Sequence, residues 1–122
     1  MHEFKLHLTD KEMACFLEQI HVAKAEPSPI FLANIVSGIV QYVPFQNITM
    51  LTGPRQRPSV EWIKAEMLNG LGGLCTARNP FLHSLLKGLG FDVRFVSSTI
   101  LEPDCHISLI VTIRDEEWWV DV

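Results

Sequence analysis

Three residues of this chain, Cys75, His106 and Asp121, could together form a nucleophilic relay. Cys75 follows a double glycine in Leu71-Gly72-Gly73-Leu74-Cys75-Thr76-Ala77-Arg78-Asn79, where a helix is expected to start. A helix N-terminus presents unpaired N–H groups and a partial positive charge. Both favour the thiolate, which is the reactive form of cysteine. A histidine that takes a proton and an aspartate that orients the histidine would complete a Cys–His–Asp set.

The elements that must position these residues can be read from periodicity and caps. Thr9-Asp10-Lys11-Glu12 is a capping box, and the helix it opens carries Met13, Phe16, Leu17 and Ile20 on one face. Ser28-Pro29 is a second helix start, with Ser28 as N-cap and Pro29 at the first helical position. Its apolar residues Ile30, Leu32, Ile35, Val36, Ile39 and Val40 cover more than one stripe, so it is expected to be buried on much of its surface. Pro44 to Arg57 reads as loop. Ser59 caps a third helix, with Trp62, Ile63, Met67 and Leu68 inward and Gly70 beyond its end. The fourth helix runs from about Cys75 to Leu89 and stops at Gly90. Pro80 within it implies either a distorted first turn or a start nearer Asn79.

The period then changes to two. Phe91 to Val96 alternates, His106 to Ile113 is rich in β-branched residues, Arg114 to Glu117 looks like a turn, and Trp118 to Val122 reads as a further strand. A turn at Asp115-Glu116 would set Asp121 opposite Ile110, four residues from His106. A turn centred on Ile113-Arg114, or a bulge with the same offset, would pair His106 with Asp121 directly and is the preferred register. The expected fold is α+β: a helical domain over 1–90 carrying the cysteine, then antiparallel strands over 91–122.

Composition bounds the function. The chain has 122 residues, 48% hydrophobic and 20% charged, which suits one globular domain with a real core. The net charge of −4 and scattered Lys and Arg argue against nucleic acid or an anionic membrane as partner. No stretch is long and apolar enough to suggest a span. Three cysteines without paired spacing imply neither a disulfide framework nor a zinc site, and fit reduced thiols in a cytoplasm. Cys15 reads as buried filler and Cys105 as an incidental strand residue. Trp118-Trp119-Val120 suggests that Asp121 is buried and needs a partner.

Several segments, in order along the chain, together resemble one family. They are Val43-Pro44-Phe45-Gln46-Asn47, Gly72-Gly73-Leu74-Cys75 with Asn79, Leu89-Gly90-Phe91-x-Val93, His106-Ile107-x-Leu109 and Asp121-Val122. This series resembles the arylamine N-acetyltransferases, whose pattern runs P-F-E-N, R-G-G-x-C-x-E-x-N, L-G-F-x-V, H-x-x-L and D-V-G. The resemblance implies a cysteine-proteinase-like core, in which the strands over 91–122 begin a β-barrel left incomplete here, and ping-pong transfer. Cys75 would carry an acetyl group from acetyl-CoA as a thioester to an aromatic amine or arylhydrazine. His106 would be the base and Asp121 its orienting group; Phe45, Gly73 and Leu74 would line the substrate site. No metal is implied.

Three positions depart from the pattern: Gln46 stands for glutamate, Leu71 for arginine and Ala77 for glutamate. Losing an acid and a base together at positions 46 and 71 avoids stranding a buried charge. The pattern also continues beyond Asp121-Val122 with further strands. The expectation is therefore a truncated enzyme whose open sheet edge meets either a missing C-terminal half or a second copy. Two other readings keep the same residues: a transglutaminase-like thiol hydrolase, and a non-catalytic remnant serving as an interaction module.

Overall fold

The computed structural model describes residues 6–43, 60–70, 75–98 and 106–122; for Val60, Trp62, Cys75, Thr76, Ala77, Ser97, Ser98, His106 and Ile107 it describes the backbone alone. Phe45, Gln46, the Ser59 cap, Leu71, Gly72, Gly73, Leu74 and Cys105 lie outside the described residues. Four helices precede a three-stranded sheet: α1 (Asp10–Gln19), α2 (Pro29–Tyr42), α3 (Val60–Leu68), α4 (Cys75–Gly88), β1 (Asp92–Ser98), β2 (His106–Ile113) and β3 (Glu116–Val120). This is the expected α+β arrangement of helices followed by antiparallel strands.

Local chemistry explains the starts and stops. The Thr9 N–H donates to Glu12 Oε1 at 3.0 Å and the Glu12 N–H to Thr9 Oγ1 at 3.1 Å, closing the capping box. Glu12 also meets Lys64 of α3 at 2.9 Å, tying the two helices at the surface. Ser28 Oγ accepts from the Phe31 N–H at 3.1 Å, with Pro29 opening α2. α4 ends in a Schellman motif: the Phe91 N–H donates to Leu86 O and the Gly90 N–H to Lys87 O, with Gly90 at φ +99°.

Pro80 sits inside α4, which is continuous from Cys75. The helix therefore begins at the cysteine and not nearer Asn79. A proline there forfeits one backbone bond. Burial of the following face offsets that cost, since Phe81, Leu82, Leu85 and Leu86 are all fully buried, each worth about 2–3 kcal/mol.

The core joins α1 (Phe16, Ile20), α2 (Phe31, Ile35, Ile39), α3 (Ile63, Met67), α4 and the inner face of the sheet (Leu109, Val111, Val120). Phe16 and Phe81 pack tilted at 4.7 Å between centroids, which locks α1 onto α4. α2 buries one face rather than most of its surface: Ile30 is 76% and Val40 65% exposed. Cys15 is exposed, not buried filler, because it falls one position before the Phe16-Leu17 face of α1.

The sheet is an antiparallel meander, β1-β2-β3. β1 pairs Ser98 with His106 and Asp92 with Thr112. β2 pairs Ile113 with Glu116 and Leu109 with Val120. The turn is thus Arg114-Asp115, at φ +50° and +67°. This is the two-residue, left-handed geometry that suits the twist of a hairpin. It differs from both registers expected from sequence, and Glu116 and Glu117 belong to β3 rather than to the turn. A run of four charged residues hid the strand start, and no Asn-Gly marked the turn.

Candidate active site

α4 delivers the cysteine. Cys75 is its first residue, so the backbone places position 75 where unpaired N–H groups and the positive end of the helix dipole lie. Asn79 follows one turn later, at the i, i+4 spacing that puts two residues on the same helix face.

Asn79 is fully buried and holds the end of β3. Its Nδ2 donates to Asp121 Oδ1 at 3.1 Å, and its Oδ1 accepts from the Val122 N–H at 3.1 Å. One side chain therefore satisfies both a carboxylate oxygen and the next backbone N–H. Because a buried amide left unmatched is costly, this two-point arrangement fixes where residue 121 sits relative to α4.

Asp121 itself is exposed, and so are Trp118 at 40% and Trp119 at 68%. The burial expected from Trp118-Trp119-Val120 is not found. The Trp119 indole N–H instead donates to Ser108 Oγ at 2.7 Å on the outer side of the sheet.

The register relates Asp121 to His106. Continuing β3 by one residue sets position 121 opposite Ser108, two residues along β2 from position 106. Residues at that offset are diagonal neighbours, about 7–8 Å apart. The preferred expectation of direct pairing is corrected to this diagonal, and the four-residue separation is corrected as well. The hairpin turn falls between the two positions considered, so the offset does too.

Arg78 completes the described site, and sequence reading did not single it out. It is 4% exposed and lines a cleft of about 370 Å³ with Val40, Gln41, Tyr42, Val43, Asp121 and Val122. Burial lowers the guanidinium pKa from its ordinary value, and the negative charge of Asp121 opposes that shift. The available signal was an arginine flanked by Ala77 and Asn79 in the first turn of a helix, where a cation is disfavoured by the dipole unless something else holds it.

His83 packs away from this cleft. Its ring stacks on Phe95 of β1 at 4.1 Å and 12°. Among the described residues no group of three or more His, Cys, Asp or Glu could hold a metal ion, and no helix is long and apolar enough to cross a membrane.

Comparison with known proteins agrees with this arrangement. A family model described as N-acetyltransferase matches residues 29–122. The arylamine N-acetyltransferase of Bacillus cereus, which carries a Cys-His-Glu catalytic triad, is 30% identical with a TM-score of 0.75 over 94% of this chain and 49% of its own. The arylamine N-acetyltransferase of M. smegmatis is 25% identical, with a TM-score of 0.75 over 89% of this chain and 45% of its own. That of Mycobacterium abscessus shares the fold at 22% identity, with a TM-score of 0.78 over 90% and 42%. The chain thus spans about half the length of these structures. A search of curated protein sequences gives no significant match. The helix-borne cysteine position, the ordered strands and the extent of these matches place the chain in the arylamine N-acetyltransferase family.

Proposed function

We propose that the chain carries the acyl-transfer half of an arylamine N-acetyltransferase site, with Cys75 as nucleophile, His106 as base and Asp121 as orienting group. The supporting observation is the Asn79 clamp, which draws Asp121 to the helix that Cys75 opens. The Bacillus cereus relative uses a glutamate as third member; the shorter Asp121 would take that role here.

In this reading the Cys75 thiolate attacks the thioester carbonyl of acetyl-CoA, the donor. The tetrahedral intermediate collapses, the bond to the coenzyme sulfur breaks, and the leaving thiolate takes the proton held by His106. An aromatic amine or arylhydrazine then attacks the acetyl-cysteine. His106 accepts the amine proton and Cys75 leaves as thiolate. Splitting the transfer in two lets a strong nucleophile act in each step. Asp121 keeps the imidazole in one tautomer and stabilises the imidazolium. Phe45, Gly73 and Leu74 are assigned to the substrate site, and no metal is needed. Three cysteines without paired spacing suit a cytoplasmic setting.

The test is incubation with acetyl-CoA followed by peptide mass spectrometry. One acetyl group is expected on Cys75, released by an aromatic amine and absent from Cys75→Ala. A folded chain that gains no acetyl group at Cys75 would reject the proposal.

A further inference from the structure

We infer that Arg78 is a positioning residue of the reaction centre, holding the Asp121 carboxylate at the wall of the cleft and giving the site a fixed positive charge. The inference rests on the reading of Cys75, His106 and Asp121 as the reacting set.

Three observations carry it. First, Arg78 is buried at 4% exposure, although arginine is almost never buried without compensation. Second, it lines the same cleft as Asp121, and the two charges interact across it. Third, its place on α4 is shared with the clamp: Arg78 and Asn79 lie three and four residues after Cys75, the two spacings that adjoin one helical position. Asn79 supplies neutral hydrogen bonds to the Asp121-Val122 end, and Arg78 supplies charge.

The charge pattern of the segment fits this role. In the R-G-G-x-C-x-E-x-N pattern an arginine precedes the double glycine and a glutamate follows the cysteine by two residues. Here both positions are neutral, as Leu71 and Ala77, and the only cation from 71 to 79 is Arg78, at a position the pattern leaves open. The cation lies within one turn of Cys75 instead of ahead of the double glycine. Among the described residues, the titratable or charged side chains lining the cleft are Tyr42 from α2, Arg78 from α4 and Asp121 after β3. His106 on β2 is the diagonal neighbour of position 121.

A fixed cation lowers the pKa of every acid near it, whether thiol or imidazolium. The test is therefore the pH dependence of iodoacetamide alkylation at Cys75, resolved by peptide mass spectrometry, in the full chain and in Arg78→Gln, Arg78→Met and Arg78→Lys. Both neutral variants are expected to move the whole profile to higher pH by about one unit, the size of one charge several ångströms away in a partly screened site. Arg78→Lys is expected to stay within a few tenths of a unit of the parent. Neutral variants that fold and keep the parent profile would overturn the inference, and so would a lysine variant that shifts as they do.

A measurement on the unsubstituted chain decides the matter if the neutral variants do not fold. The Arg78 guanidinium N–H resonances are expected to be separately resolved, because the fork is held, and to merge in Asp121→Asn. Merged resonances in the parent would overturn the inference. A parent Cys75 that alkylates no faster than Cys15 at neutral pH would instead overturn the assignment of the reactive thiol.

Discussion

Asn79 holds Asp121 from one turn below Cys75, and in doing so it joins the last residues of the sheet to the first turn of the helix that carries the thiol. The contact spans 42 residues of sequence. It brings two of the three proposed catalytic positions, the backbone of Cys75 and the carboxylate of Asp121, to the same turn of α4. The same amide also takes the Val122 N–H, so the geometry of the site and the anchoring of the chain end depend on one side chain.

Replacing Asn79 with alanine is expected to destabilise the fold by about 2–4 kcal/mol, because it removes a buried amide and leaves the Val122 N–H and one Asp121 oxygen without that partner. Urea unfolding gives the loss. Asn79→Asp should be worse than alanine at neutral pH, since it sets a carboxylate against Asp121, and should recover relative to alanine as pH falls below 4. An aspartate variant as stable as the parent at pH 7 would contradict the hydrogen-bond assignment.

The Arg114-Asp115 turn holds two non-glycine residues at positive φ. Such positions cost roughly 1 kcal/mol each for ordinary side chains and less for aspartate. Arg114→Asn with Asp115→Gly supplies the preferred pair for this turn. The double variant is expected to gain about 1 kcal/mol, seen as a melting temperature higher by ~4 °C. If the strands were instead paired around Ile113-Arg114, glycine at position 115 would fall inside a strand and lower it.

Helix starts were legible because capping is local: Thr9, Glu12, Ser28 and Pro29 each act on backbone within three residues. The stop at Gly90 and the alternation after Phe91 were legible for the same reason. The end of α1 was less so, because its left-handed residue is His21, not a glycine. The exposed side of α2 was misread because its apolar residues outnumber those one face can bury, and periodicity alone cannot choose among them. In the site, the types and order of Cys75, His106 and Asp121 stood out, but the His106–Asp121 offset depended on one turn with no sequence signature. Asn79 could be quoted from a pattern without its role, since its partners, Asp121 and Val122, follow the far end of β3. Arg78 needed the fold, because only burial distinguishes it from a surface arginine.

Two glycines make opposite demands on their neighbours. A Cβ on Gly38 would come within 2.8 Å of the Ile20 backbone oxygen, and one on Gly88 within 2.5 Å of Met13 Sδ. The first neighbour is the fixed end of α1, while the second is the tip of a flexible side chain. Gly38→Ala is therefore expected to cost about 1–3 kcal/mol through a backbone shift. Gly88→Ala should cost less, despite the shorter distance, and helix propensity returns up to about 1 kcal/mol to it. Chemical denaturation of both variants checks the order; a larger loss at Gly88 would contradict it.

His83 makes folding sensitive to mild acid. Its pKa is lowered, first by burial at the α4–β1 contact, then by Lys87 nearby, against a backbone hydrogen bond with Val93 that raises it. Stacking on Phe95 keeps the ring in that contact. A base whose folded pKa lies below its unfolded value binds fewer protons when folded, so stability rises with pH between the two values. The contribution is complete above the unfolded value near ~6.5 and declines as pH falls through it toward the folded value. Unfolding midpoints in urea at pH 7.5 and 5.5 should show this decline in the parent. In His83→Gln the overall stability is lower, because the stack is lost, but the difference between the two pH values should shrink. Lys87→Met offers a second check: it removes a like charge, so the decline should begin at the same pH and become shallower. A parent whose stability is flat from pH 7.5 to 5.5, or a glutamine variant with an unchanged slope, would mean that His83 is not the group responsible.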